Sequence, residues 1–339
     1  MSETPRVSVV IVTYNAGKYV IPSLRSVLAS HGAVVDEVIV VDNSSSDDTM
    51  SLVEKHFGRD LKVRVVRLRR NFGFPLACNI GVDSAKNRFV VCMNPDVVVE
   101  PDCFAKLVEA ILGDESIAVV QPKILHPGGY IDSAGGVMDV LGHGFHIGKF
   151  ERDHGQYDEP RDILYASFAC AMVRRDVYLK LGGMDPRYFL YNEDLDFCWR
   201  SWLAGYRVVY VPNAIAYHVG QHATRRLPYH ALYFGRRNRL YTIFTNYPLP
   251  LAITASLLLL GFYVGLGMLS IMRDRVEARL TLRIMSRFFR DLGYLTMKRT
   301  GLARRRGFFE IARRGLVSFK LMGLRLYLVK LYRRQLGLE

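Results

Sequence analysis

Apolar and polar positions alternate in blocks along the first hundred residues of this chain. "VSVVIVTYN" (7–15) is a β-branched run of strand length that stops on polar residues, and "KYVIPSLRSVLAS" (18–30) follows with helical spacing. "VDEVIVVDNSSSDDT" (35–49) repeats the scheme, with a Ser/Asp cluster suited to cap a helix beginning near Thr49. "VRVVRL" (63–68) predicts a third strand and "RFVVCMNPDVVV" (88–99) a fourth. Strands alternating with helices predict an α/β fold: an open, mostly parallel, twisted sheet with flanking helices. Such sheets gather ligands at the carboxyl ends of their strands. The polar clusters Thr13-Tyr14-Asn15, Asp42-Asn43-Ser44 and Asn94-Pro95-Asp96 stand at those ends.

Further along, the pattern loosens. Residues 121–168 are rich in Gly and His and predict loops and short strands laid over the sheet. "ILYASFACAMVRRDVYLKLGGMD" (163–185) predicts a strand, then a short helix closed by Gly182-Gly183. Leu195, Cys198, Trp199, Trp202 and Leu203 fall on one helical face, and Gly205 ends that helix. "YRVVYVPNAIAYHVG" (206–220) predicts a strand pair punctuated by Pro212.

Residues 250–272 carry no charge over 23 positions, which is long enough to span a bilayer. Arginines flank both ends, against the positive-inside tendency for a single span. Two apolar halves hinged near Gly261, or a segment lying in the interface, suit the charges better; a buried core helix is the plain alternative. "GLVSFKLMGLRLYLVKLYRRQLGL" (315–338) predicts a basic amphipathic helix. The expected division is a catalytic domain over 1–247, an apolar membrane-inserting or re-entrant segment over 248–272, and basic membrane-binding helices over 273–339.

The net charge of +14 changes this picture only at one end. From Arg273 onward there are 18 Lys+Arg against 5 Asp+Glu; the remainder holds 28 against 27. The basicity belongs to the tail, and an apolar segment beside it points to anionic lipid rather than nucleic acid. Five cysteines without CxxC spacing and an opening "MSETPRVSVV" without a basic-then-apolar leader suggest a reducing cytoplasm.

Candidate chemistry centres on "FLYNEDLDFCWR" (189–200). Glu193 and Asp194 fall in a first helical turn, where the macrodipole favours carboxylates, and Asp196 can pair with Arg200 four residues on. His126, His143, His146 and His154 match no metal spacing. Neither GxGxxG nor GxxxxGK[ST] occurs, so a nucleotide would be held in another way.

"VVIVTYN", "VIVVDNSSSDDT", "NFGFPLACNIGV", "MNPDVVV" and "GGMDPRYFLYNEDLDFCWRSWLAGYRVVYVPNAIAYHVG" come in the order found in another group of proteins. Over about 7–220 the chain resembles the inverting nucleotide-sugar glycosyltransferases of the GT-A fold, in the bacterial rhamnosyltransferase-like branch. The resemblance implies a nucleoside-diphosphate-sugar donor bound by Thr13, Tyr14, Asn15, Asp42, Asn71, Gly73, Asn79, Asn94 and Asp96. It implies Mn²⁺ or Mg²⁺ on Asp96 and His218; the usual DxD reads "NPD" here, with Asn94 in place of the first acid. Asp194 is implied as general base, with Glu193 as runner-up or helper, and Asp185 as an acceptor contact. The implied activity moves a sugar, with a lean to rhamnose from dTDP-rhamnose, to a hydroxyl of a lipid-linked glycan. The implied place is the cytoplasmic face of the cell membrane, in cell-surface polysaccharide biosynthesis. A polyprenyl-phosphate or soluble acceptor, and a membrane-tethered sensor without catalysis, stand as alternatives.

Overall fold

The computed structural model describes residues 5–32, 34–219, 228–271 and 275–320. Its first half follows the apolar blocks. Strand β1 (Arg6–Thr13) pairs in parallel with β2 (Val34–Asp42) and β4 (Phe89–Met93), and β2 pairs in parallel with β3 (Val63–Arg67). Helices α1 (Gly17–Leu28), α2 (Thr49–Phe57) and α3 (Phe74–Ser84) return the chain between them. The β1 valines and isoleucine are buried on both sheet faces, as a run without alternation requires. A Cβ on Gly81 would stand 2.3 Å from Val10 Cγ1, so its absence lets α3 settle on the sheet.

Further strands extend this core: β5 (Val97–Val99), β6 (Ile117–His126), β7 (Tyr130–Ser133), β10 (Arg161–Asp162), β11 (Cys170–Arg174) and β12 (Arg207–His218). The order along the sheet is β10-β12-β6-β11-β4-β1-β2-β3, with β5 on β12 and β7 on β6. Strand β11 runs antiparallel to both neighbours, while β6 and β12 are parallel to each other. The predicted strand pair at 206–220 is one strand: Pro212 falls where its register against β6 shifts, between Val211 and Ile215. Strands β8 (Gly136–Asp139) and β9 (Gly144–His146) form a small second sheet over the first. Helices α4 (Cys103–Leu112) and α5 (Arg175–Lys180) complete the sheet's connections. The helix predicted around Trp199 is α6 (Glu193–Leu203).

Three long helices follow: α7 (Pro228–Asn246), α8 (Leu249–Ile271) and α9 (Val276–Thr300). The apolar segment is one unbroken helix, not two halves hinged at Gly261; a single glycine costs a helix only about 1 kcal/mol. Helix α8 turns Ala252, Ala255, Leu259, Tyr263 and Leu266 inward; Leu257, Leu258, Met268 and Leu269 are 61–71% exposed. Thr281 of α9 donates to the Tyr263 carbonyl at 3.0 Å, and Arg236 of α7 pairs with Glu277 of α9, so charged helices flank the apolar one. Helix α10 (Phe308–Arg313) sends Phe308 onto Trp199 and Tyr247. Burying one such ring contributes about 1.5–3 kcal/mol. Strand β13 (Val317–Ser318) pairs with β8, so the predicted tail helix does not begin at Gly315; its positions from 321 on lie outside the described residues.

Candidate active site

At the carboxyl ends of β1 and β2, Thr13 and Asp42 are register partners and both are buried. The Asp42 carboxylate accepts from the Ser45 amide at 3.1 Å and the Thr13 hydroxyl at 3.4 Å. Asn15, left-handed at φ 52°, is tied to the facing loop: its backbone amide donates to Ser45 Oγ and its side-chain Oδ1 accepts from the Ser46 amide. Tyr14 projects beside them, half exposed. Asn71 Oδ1 accepts from Asn43 and from the Gly73 amide, which shapes the loop beneath this corner. Gly73 has φ 83°, and a Cβ there would sit 2.4 Å from the Phe189 carbonyl oxygen. Asn79 stands apart. Its amide donates to the Met184 carbonyl at 2.7 Å, and its oxygen accepts from the Met184 amide and the Tyr178 hydroxyl. The side chain therefore clasps the Gly-Gly-Met turn and has its hydrogen-bonding groups committed there, which departs from a direct donor contact. Arg70 lies over the Phe72 ring.

Beyond β4, strands β5 and β12 bring two predicted residues together. His218 pairs in register with Val97, and its Nε2 lies 3.3 Å from Asp96 Oδ1. Its Nδ1 lies 2.8 Å from Asp132 Oδ2. Asp132, on β7, also meets Lys149 Nζ at 2.7 Å and His126 Nε2 at 3.2 Å. Burial pushes the His218 imidazole down, but its two carboxylates outweigh this and lift it to about 9. Burial pushes Asp132 up, and His218 and Lys149 hold it well below the usual carboxylate range. With a carboxylate at each nitrogen the ring is protonated at neutral pH, and a metal ion would have to displace the Nε2 proton; the Nδ1–Asp132 contact is of the kind that orients a metal-binding histidine. Asp96 and His218 thus fit a divalent cation that takes its remaining ligands from diphosphate and water. Asp132 gave no signal in the sequence: "YIDSAGG" matches no spacing, and only the β6–β7 pairing brings it under His218.

The acids of the 189–200 motif stand at the start of α6. Asp194 is half-buried; burial lifts its carboxyl to about 6, against the backbone amides of Leu195 and Phe168 that favour the charged form. The turn holding Phe168 also touches the metal side, since the Asn94 amide donates to the Ala169 carbonyl at 2.9 Å. Glu193 is buried, and its Oε2 has no hydrogen-bond partner among the described residues. Burial and the neighbouring Asp194 raise its carboxyl well above the usual range. Ahead of these acids, Phe189, Tyr191 and Asn192 have φ of 64°, 68° and 65°. Three left-handed residues without glycine cost of order 1–3 kcal/mol each and persist only where the surroundings impose them.

The remaining acid of the cluster has a structural task. Asp196 pairs with Arg200 at 2.9 Å, as their spacing predicts. It also accepts from the Tyr188 hydroxyl, the Asn246 amide and Lys298 Nζ. Burial opposes its charge, but Lys298 and Arg200 hold the carboxyl far below the usual range. Lys298 reaches Asp185 as well, at 2.8 Å. Asp185 is thus buried in an ion pair and caps the short 3-10 turn Pro186–Tyr188 through the Arg187 amide, rather than lying open to an acceptor.

Residues 8–182 match the sequence profile of "Glycosyl transferase family 2". The chain belongs to glycosyl transferase family 2. Over 228 residues it is 29% identical to the protein y4gI of Sinorhizobium fredii, covering 64% of this chain and 25% of that one. Over 246 residues it is 29% identical to the N-acetylglucosaminyl-diphospho-decaprenol L-rhamnosyltransferase of Mycobacterium tuberculosis, covering 65% and 78%. The mannosyltransferase PcManGT of Pyrobaculum calidifontis, solved with GDP-Man and Mn²⁺, superposes with a TM-score of 0.52 over 86% of this chain and 89% of that one, at 18% identity. The fold is GT-A, and this family 2 member is a glycosyltransferase.

Proposed function

We propose that this glycosyltransferase works by inverting single displacement. Asp194 takes the proton of an acceptor hydroxyl as that oxygen attacks the donor's anomeric carbon. The bond from that carbon to the diphosphate oxygen breaks, and the electron pair leaves with the nucleoside diphosphate. Asp96 and His218 would hold Mn²⁺ or Mg²⁺, which supplies Lewis-acid stabilisation of the departing diphosphate. Asp132 keeps the His218 ring oriented for that task. Thr13, Tyr14, Asn15, Asp42, Asn71, Gly73 and Asn94 line the nucleoside and sugar end.

One observation carries this reading: a carboxyl lifted to about 6 shares the Phe168–Ala169 turn with the Asn94–Asp96 segment. A base in that range is largely ionised at neutral pH yet still attracts a proton. The relative named for an N-acetylglucosaminyl-diphospho-decaprenol acceptor supports a lipid-linked glycan here, with rhamnose on dTDP as the favoured donor, in polysaccharide biosynthesis. The exposed face of α8 and the basic tail support docking on an anionic membrane at its cytoplasmic face. The arginines that α7 and α9 carry along its flanks favour α8 lying in the interface over crossing the bilayer.

The test is nucleoside diphosphate release from dTDP-rhamnose, UDP-N-acetylglucosamine, UDP-galactose and GDP-mannose, with and without a lipid-linked acceptor. Asp194→Asn abolishes acceptor-dependent release while nucleotide binding persists. Near wild-type transfer by Asp194→Asn sinks the assignment.

A further inference from the structure

The backbone just before the base has a full set of hydrogen-bond donors, and most come from one place. Asn238 of α7 is fully buried, and its Nδ2 lies 2.9, 2.8 and 2.7 Å from the carbonyl oxygens of Tyr188, Leu190 and Tyr191. Arg237 Nη2 donates to the carbonyls of Arg187 and Tyr188 at 2.7 and 3.0 Å. The Phe189 carbonyl accepts from the Phe74 amide, and the Asn192 carbonyl from the Asp196 amide. Every carbonyl from Arg187 to Asn192 is therefore engaged, four of the six by two adjacent side chains of α7.

Those two side chains are themselves fixed. Asn238 Oδ1 accepts from Arg237 Nε and Nη2 at 2.9 and 2.7 Å, which leaves only its amino group to face the loop. The Arg237 guanidinium lies over the rings of Tyr233, Phe234 and Tyr241, and Phe234 stacks on Phe189 with centroids 5.0 Å apart. The loop's left-handed residues are thus imposed from α7 on one side and from Gly73–Phe74 on the other. Its last residue, Asn192, is the N-cap of α6, two positions before Asp194.

We propose that Asn238, backed by Arg237, is a positioning residue for catalysis: it sets the shape of residues 187–192 and so the placement of the Asp194 carboxylate. The proposal rests on Asp194 being the base. An ångström of misplacement at a reacting group costs about 100-fold in rate, so the effect falls on turnover rather than on donor binding.

The experiment uses the full chain with Asn238→Ala, Asn238→Ser and, as a control, Asp194→Asn. Calorimetry with dTDP, UDP and GDP counts nucleotide sites, and donor turnover gives kcat and KM. Hydrogen exchange follows amides 188–195. The expected result for Asn238→Ala is an unchanged number of nucleotide sites, an unchanged donor KM, a kcat down about 10- to 100-fold, and faster exchange in 188–195. Asn238→Ser, which keeps one donor, falls between. Wild-type kcat in the Asn238 variants overturns the proposal. So does a kcat that falls only in step with the number of nucleotide sites, because that is loss of folded protein. If Asn238→Ala does not fold, Asn238→Ser is read by the same two quantities; failure of both to fold also overturns it, in favour of a purely structural role. If Asp194→Asn keeps transfer, the base assignment fails. If Asp194→Asn is inactive while the Asn238 variants turn over normally, the positioning role alone fails.

Discussion

The two sides of the proposed active site are built differently. The proposed metal side is made by the sheet and its insertion: Asp96 sits in the turn between β4 and β5, His218 ends β12, and Asp132 lies on β7. The base side is one turn of helix and a strained loop, held from outside by α7 and α9. Strand register fixes a side chain to one face of a sheet at little extra cost. A left-handed loop has no such default, and its conformation must be imposed by partners that arrive much later in the chain. The metal side should therefore answer to local substitutions, and the base side to distant ones as well.

Asp194→Asn should give the largest effect, a fall in transfer of about 10²–10⁴-fold with nucleotide affinity retained, read by nucleoside diphosphate release. Lys298→Met comes next and tests the remote support. It leaves Asp185 and Asp196 buried without their shared cation, a change that costs about 3–5 kcal/mol in urea unfolding; an unchanged midpoint would separate α9 from the base side. On the metal side, Asp132→Asn should weaken Mn²⁺ binding about 10- to 100-fold in calorimetry while the melting temperature moves little. Unchanged Mn²⁺ affinity there, or in His218→Ala, would remove the metal side as drawn. Acid should act through the base: the carboxylate of Asp194 is the active form, so kcat is full above its pKa and falls as pH drops through about 6. A plateau down to pH 4 would contradict that. The smallest effect belongs to the surface: Leu257→Asp on the exposed face of α8 should reduce binding to phosphatidylserine-containing vesicles severalfold, with catalysis in solution preserved.

The same contrast explains what the sequence disclosed. Unbroken β-branched runs marked β1, β2 and β4, and the Trp199 stripe marked α6, because each pattern is local. Asp96, His218 and Asp194 were legible as positions within motifs, and the structure brings Asp96 and His218 to 3.3 Å. Asp196 was legible as half of an i,i+4 pair with Arg200, but not as the meeting point of Tyr188, Asn246 and Lys298. Asp185 and Asn79 looked like ligand contacts through the motifs they belong to; Lys298 holds Asp185 in an ion pair, and Asn79, on α3, holds the Met184 backbone. Asp132, Asn238 and Lys298 had no spacing to betray them. Their partners are 47 to 113 residues distant or are reached through a hairpin, and no one-dimensional period encodes such a meeting.

Lys298 also gives the molecule an order in time. The sheet leaves the ribosome first and can pair its early strands while the rest is still being made. The carbonyls of 187–191 then wait for α7, and the carboxylates of Asp185 and Asp196 wait for a lysine roughly a hundred residues behind them, some 5–20 s at ordinary elongation rates. By then the apolar α8 has already emerged. A nascent chain thus exposes its apolar helix before the proposed base is in place, so on this reading competence for sugar transfer comes only after the membrane-docking surface proposed for α8 has been made.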